Sequence, residues 1–281
     1  MLPLLIGPYI HILAISIGEF KEYLIQYEIN FSGGADVAVE VKHLTGGYGN
    51  QPVIHDIDFT LQEGEIVGLI GLNGAGKSTT IKNMLGLLQP MKGDIAINGM
   101  TLNESPYDYR QLISYIPETP VLYDELTLEE HIDMTAMAYG LTKEEAMTRA
   151  RPLLGIFRLE DKMKQFPQNF SKGMKQKVMI ICAFISQPEL HIIDEPFLGL
   201  DPLGIQSMLE LMVEARDAGR TVLMSTHILA TAEKYCDYFL IMHQGHLVAK
   251  GNLQDLQQQL DMPGESLDAI YIRLTQGEGH V

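Results

Sequence analysis

The stretch Gly71-Leu72-Asn73-Gly74-Ala75-Gly76-Lys77-Ser78 constrains this chain more than any other. The run Glu65-Ile-Val-Gly-Leu-Ile70 precedes it and reads as a buried strand. The residues from Thr79 to Leu88 follow it, with apolar side chains at helical spacing. A G-x-x-x-x-G-K-S run between a strand and a helix predicts a phosphate cradle. Its glycines let backbone N–H groups converge on an anion, and the helix N-terminus adds positive potential. In such a loop Lys77 reaches the β- and γ-phosphates and the Ser78 hydroxyl is placed to bind Mg²⁺. Residues Gly71 to Ser78, with Thr79, are therefore the expected nucleotide-binding set.

A second cluster supports the first. Leu190-His-Ile-Ile-Asp194-Glu195 reads as a buried strand ending in two acids. A carboxylate at that edge beside a phosphate loop can hold the Mg²⁺ shell, which is the role expected of Asp194. Glu195, one residue on, can polarise the attacking water. Thr221-Val-Leu-Met-Ser225 predicts another buried strand, and His227 stands just beyond it at the same sheet edge, where a phosphate-facing role is expected. Tyr48, at a glycine-rich turn ahead of Lys77, offers a ring to stack on a purine or to pack on the sheet.

The rest of the chain predicts the frame around these residues. Val37 to Val41 and Val53 to Leu61 alternate like antiparallel strands, with a turn at Gly46–Gly49. Asp124 to Gly140 reads as helical, with Thr127 and Glu130 spaced as a capping box, and Lys143–Leu154 and Leu159–Lys164 continue helical. An all-helical insertion over about 119–170 thus interrupts an α/β core spanning 37–250, and residues 251–281 form a helical tail. Ser171 reads as the N-cap of a helix carrying Val178 to Ser186. Cys182 and Cys236 read as buried thiols of a reducing compartment. His243 and His246 read as hairpin surface residues.

Residues Leu2 to Ile17 are almost wholly apolar, yet short of the roughly 20 residues a membrane span needs. No basic segment or small-residue cleavage site marks them as a signal peptide. The expectation is that residues 1–36 are not part of the working protein and that the native start lies near Val37. The rival expectation is a membrane-tethering arm.

From Val37 onward the motifs resemble the ATP-binding subunits of ABC transporters. Tyr48 matches the adenine-stacking aromatic and Gly71–Ser78 the Walker A loop. Phe170-Ser171-Lys172-Gly173-Met174-Lys-Gln matches the family signature, and His191–Glu195 covers Walker B and the catalytic glutamate. Gly199-Leu-Asp201 matches the D-loop, and His227 the switch histidine. Leu44–Tyr48, Ser114–Tyr123 and Asp194–Pro202 bring the resemblance closer to the Ecs-type ATPase subunits of Gram-positive bacteria.

The resemblance implies a P-loop core with an N-terminal antiparallel β subdomain and an inserted all-α subdomain. It implies ATP and Mg²⁺ as cofactors, Glu195 and His227 as catalytic groups, and Ser78, Asp194 and Glu118 near the metal. The signature residues Ser171, Lys172, Gly173 and Met174 would act on nucleotide held by a second ATPase subunit, a homodimer being expected. The other partner implied is a polytopic membrane permease, with this chain peripheral at the cytoplasmic face of the plasma membrane and export as the direction. Glu118 replaces the usual glutamine, and Lys172 and Met174 replace glycine and glutamine. Glu118 can contact a metal or its waters but cannot donate an amide hydrogen bond.

A net charge of −16 argues against non-specific nucleic-acid binding, which needs a basic footprint. The alternative function is an ABC ATPase acting outside transport, on ribosomes or DNA. The single cassette and absence of coiled-coil heptads or a cysteine cluster disfavour it.

Overall fold

The computed structural model describes residues 37–276, so both expectations for residues 1–36 lie outside the described residues. Two sheets organise the chain. The first is antiparallel, in the order β2-β1-β4-β5, from β1 (Val37–Tyr48), β2 (Gln51–Gln62), β4 (Lys92–Ile97) and β5 (Met100–Thr101). The second has the order β10-β9-β3-β8-β7-β6. It comprises β3 (Ile66–Ile70), β6 (Ile113–Ile116), β7 (Leu190–Asp194), β8 (Thr221–Thr226), β9 (Tyr238–His243) and β10 (His246–Gly251). Its pairs β3–β8, β3–β9, β7–β8 and β6–β7 are parallel, and β10 closes it antiparallel to β9.

Strand periodicity sorts the core. Successive side chains point to opposite faces of a sheet. Ile192 and Leu223 accordingly join Val67 and Leu69 against the first sheet's Val41, Phe59 and Ile95. Their neighbours Ile193, Val222 and Met224 turn to the opposite face, against the helices. Being covered on both sides, β3, β7 and β8 are buried at every position, which is why their sequences read as continuous apolar runs.

The helices are α1 (Lys77–Met84), α2 (Pro106–Gln111), α3 (Leu128–Ala138), α4 (Lys143–Phe157), α5 (Lys172–Ser186), α6 (Pro202–Asp217), α7 (Leu229–Tyr235), α8 (Leu253–Gln259) and α9 (Leu267–Gln276). Helix α3 begins later than the expected Asp124 because Thr127 and Glu130 complete a reciprocal capping box there. Helix α4 stops where Arg158 turns left-handed, at φ 58°, so the expected helix from Leu159 is a single 3₁₀ turn at Glu160–Lys162. The glycine-rich turn also differs from expectation: β1 continues through Gly46 and Gly47 to Tyr48, because both pair with β2. A third apolar cluster lies under α8 and α9, where Leu256, Leu267, Ile270 and Tyr271 meet Ile70, Phe239 and Ile241.

Candidate functional site

Strand β3 delivers the chain to the phosphate loop and α1 takes it away. Two glycines shape the turn. Gly76 is the N-cap of α1 with φ 109°, a left-handed conformation, and a Cβ there would lie 2.7 Å from Ile54 Cγ2. A Cβ at Gly71 would lie 2.7 Å from the Met242 carbonyl oxygen. No side chain caps the N-terminus of α1. Its first N–H groups are thereby left to an anion, with the helix dipole in support.

The loop opens on a cavity of about 400 Å³. Leu72, Asn73, Gly74, Gly76, Lys77, Ser78 and Thr79 line one side of it; Asp194, Glu195, His227, Glu118 and Leu198 line the other. Residues from four separate stretches of sequence thus meet at the C-terminal edge of the parallel strands, where open α/β sheets bind ligands.

The polar contacts inside it are specific. Lys77 Nζ donates to the Gly71 carbonyl at 2.6 Å and lies 3.7 Å from Glu195 Oε1. The other carboxylate oxygen of Glu195, Oε2, is 2.9 Å from His227 Nδ1. Glu195 itself sits at φ 49°, and its backbone N–H donates to the Ser225 carbonyl at 3.1 Å. That strained turn at the strand end aims the carboxylate sideways between Lys77 and His227.

Asp194 is held just as closely. Its Oδ1 accepts from the Ser225 hydroxyl, and its Oδ2 lies 3.4 Å from Ser78 Oγ. Burial pushes the Asp194 carboxyl above its ordinary range, and the charge of Glu195 adds to the rise; the Ser225 hydroxyl, Lys77 and Ser78 oppose it. The Ser78 hydroxyl and the buried Asp194 carboxyl form a pair of hard oxygen donors, and such a pair suits Mg²⁺. The residues present therefore fit the metal that the motif implies.

Sequence reasoning missed Ser225. In the sequence it stands only as the last residue of an apolar strand. The signal was available, since a hydroxyl at the end of a fully buried strand needs a partner. Gln176, the last residue of the signature run, gains a contact that its motif does not specify: it is buried on α5, and its amide donates to the Pro117 carbonyl at 3.4 Å, directly before Glu118.

Other expected residues stand elsewhere. Tyr48 is about half exposed and does not line the cavity; its hydroxyl accepts from Lys82 Nζ of α1 at 3.1 Å, and that ammonium lies 5.4 Å from the ring centroid. Ser171 accepts from the Met174 N–H as the N-cap of α5, and neither it nor Lys172, Gly173 or Met174 lines the cavity. This signature turn packs against the D-loop, so closely that a Cβ at Gly173 would lie 2.5 Å from the Gly199 carbonyl. Asp201 caps α6 and pairs with Lys177 of α5 at 2.8 Å. The signature turn and D-loop thus form one unit, apart from the phosphate cavity of their own chain. His243 and His246 stay at the hairpin, where the His246 ring stacks on His55 at 4.9 Å.

A phosphate loop on a parallel sheet, two acids on the next strand but one, and a histidine beyond the strand between them define a P-loop nucleotide hydrolase with an inserted helical subdomain. The chain belongs to the ABC transporter family, whose ATP-binding domain matches residues 54–198. Its relatives include the ABC-type transporter ATP-binding protein EcsA of Bacillus subtilis, 58% identical over 243 residues, covering 86% of this chain and 98% of that protein. The bacitracin transport ATP-binding protein BcrA of Enterococcus faecalis is 34% identical over 225 residues, covering 80% and 72% of the two. A solved ATP-binding subunit of an ABC transporter, 57% identical, superposes with a TM-score of 0.82 over 84% of this chain and 99% of that one. The protein is therefore an ATP-binding, ATP-hydrolysing subunit of an ABC transporter of the Ecs type. Among the described residues no helix is long and apolar enough to cross a membrane.

Proposed function

We propose that this subunit hydrolyses Mg²⁺-ATP in a dimer closed by the nucleotide, and so drives export by a separate multi-span permease docked at the cytoplasmic face of the plasma membrane. One observation carries the reading. Lys77, Ser78, Asp194, Glu195 and His227 converge on one cavity, while the signature turn lies outside it and is packed on the D-loop. The chain thus presents half a site to its own nucleotide and a second half to a partner's.

Within this reading the α1 N–H groups and Lys77 bind the phosphates, and Tyr48 flanks the base. Ser78 and Asp194 would hold Mg²⁺, with Glu118 near its waters, and the metal would offset charge developing on the transferred phosphoryl group. Glu195 accepts a hydrogen bond from the attacking water, oriented from the other side by the His227 ring that already touches its carboxylate. Positioning and charge stabilisation supply the rate, with no covalent intermediate on the protein. Ser171 and Gly173 approach the γ-phosphate across the dimer. The helical insertion, joined through Glu118 and the Gln176–Pro117 contact, passes the change to the permease. Membership of a family that includes a bacitracin transport protein supports export.

The test is Glu195→Gln. Turnover falls at least about a hundredfold, as expected for loss of a group acting only in the transition state. ATP binding persists, and the variant forms a dimer in ATP by gel filtration. Hydrolysis at the wild-type rate would remove Glu195 from the mechanism.

A further inference from the structure

One polar contact reaches the phosphate loop from the far end of the chain. The hydroxyl of Tyr271, on α9, accepts a hydrogen bond from the Leu72 backbone N–H at 3.0 Å. Tyr271 is 7% exposed, its ring fixed among Ile70, Leu256 and Ile270. The residues are separated by 199 positions, so this is no local turn bond.

The peptide group involved has a second attachment. The Leu72 N–H and the Gly71 carbonyl belong to one planar amide. Lys77 Nζ donates to that carbonyl at 2.6 Å, and Tyr271 accepts from the N–H on the opposite edge. A planar amide held at both edges cannot rotate without losing one bond. Tyr271 therefore fixes the orientation of the carbonyl on which the Lys77 ammonium rests. It also fixes the entry to a loop whose remaining N–H groups must face an anion.

Helix α9 is itself tied to the other side of the site. The Leu267 N–H at its start donates to Glu233 Oε2 at 2.6 Å. Glu233 lies on α7, the helix that begins two residues after His227. The carboxy-terminal helix thus touches the phosphate loop directly and the histidine's own helix through Glu233.

We propose that Tyr271 is a positioning residue for nucleotide binding, acting through the Gly71–Leu72 peptide on Lys77 and the phosphate loop. The proposal rests on the reading of that loop as the ATP site. It assigns the tail helix a part in setting ATP affinity, in addition to packing on the core.

The experiment uses Tyr271→Phe, which deletes the hydroxyl and keeps the ring. A control on the same helix is Thr275→Ala, which removes a side-chain bond to the Tyr271 carbonyl, at 2.9 Å, without touching the loop. The KM and kcat for ATP are measured at saturating Mg²⁺, with nucleotide Kd by calorimetry. Loss of one hydrogen bond to an ordered amide predicts that KM and Kd rise about three- to tenfold in Tyr271→Phe, with kcat within twofold of wild type. Thr275→Ala leaves all three unchanged. KM and Kd within twofold of wild type in Tyr271→Phe would overturn the proposal, as would an equal rise in both variants, which would mark a general effect of helix stability. Wild-type protein that bound no nucleotide would instead undo the assignment of the loop itself.

Discussion

Asp194 shows how a single residue trades stability for function. Its carboxyl is buried, its pKa is raised mainly by that burial, and Glu195 stands beside it. A carboxylate with a raised folded-state pKa costs stability wherever it is ionised, and the cost fades as pH falls and the group protonates. Asn in its place keeps an acceptor for the Ser225 hydroxyl and sheds the charge. Asp194→Asn is therefore expected to raise the melting temperature of the nucleotide-free protein by roughly 2–4 °C at pH 7.5 and to abolish Mg²⁺-dependent hydrolysis. The gain shrinks toward pH 4. An Asn variant that melted below wild type at pH 7.5 would mean that the carboxylate is already compensated by Lys77. The candidate roles of Asp194, Glu195, Lys77 and Ser78 were legible in sequence because each occupies a fixed offset from a strand end. Ser225 and Tyr271 were not, since their meaning lies in partners 31 and 199 residues away.

At the scale of one element, strand β7 places His191 wholly inside the sheet. The ring stacks on Phe184 at 4.7 Å, and its Nδ1 lies 2.7 Å from the Ser114 hydroxyl on β6. Burial, with a smaller contribution from Arg220, drives its pKa down to about 3. The unfolded chain binds a proton near pH 6.5 that this buried ring refuses. The strand's contribution is therefore intact above pH 6.5 and is lost progressively as pH falls toward 3. Between pH 7 and pH 5 the wild type should lose about 2 kcal/mol of unfolding free energy relative to His191→Asn, in which the titrating ring is absent. Denaturant unfolding at the two pH values measures it; parallel slopes for the two proteins would place the ring in a wetter site. The elements themselves were largely readable: β3, β7 and β8 as buried runs, and α3 from its capping box. The boundaries that slipped did so where backbone geometry decided. Arg158 turns left-handed and ends α4, and Gly46 and Gly47 join the β1–β2 ladder in place of a turn.

For the whole molecule, large apolar side chains stand exposed both at the phosphate cavity and beside the D-loop. Leu72 and Leu198 at the cavity, Leu203 just after Asp201 and Ile228 just after His227 are all exposed, Leu203 by 63%. Large apolar side chains exposed beside both halves of such a site mark an interaction surface. In the proposed dimer they are covered when ATP closes the two copies. Adding Leu203→Glu to Glu195→Gln should keep the protein monomeric in saturating ATP, while nucleotide still protects it from thermal unfolding. Light scattering with and without ATP reads the state; a dimer as abundant as that of Glu195→Gln alone would move the interface elsewhere.

The family, the phosphate loop and the identity of the chemical groups are all legible in the order of residues along the chain. Those are local properties: a turn that needs glycine, a strand end that carries acids, a helix start that needs a cap. What each group does to its neighbours depends on how the chain packs. Only the parallel register of β3, β8 and β7 brings Lys77, His227 and Glu195 within reach of one another. Only packing of the tail on the core puts the Tyr271 hydroxyl on the Leu72 amide. Hydrogen bonds and charge pairs act over a few ångströms, and spacing along the chain carries no information about which distant segments come that close.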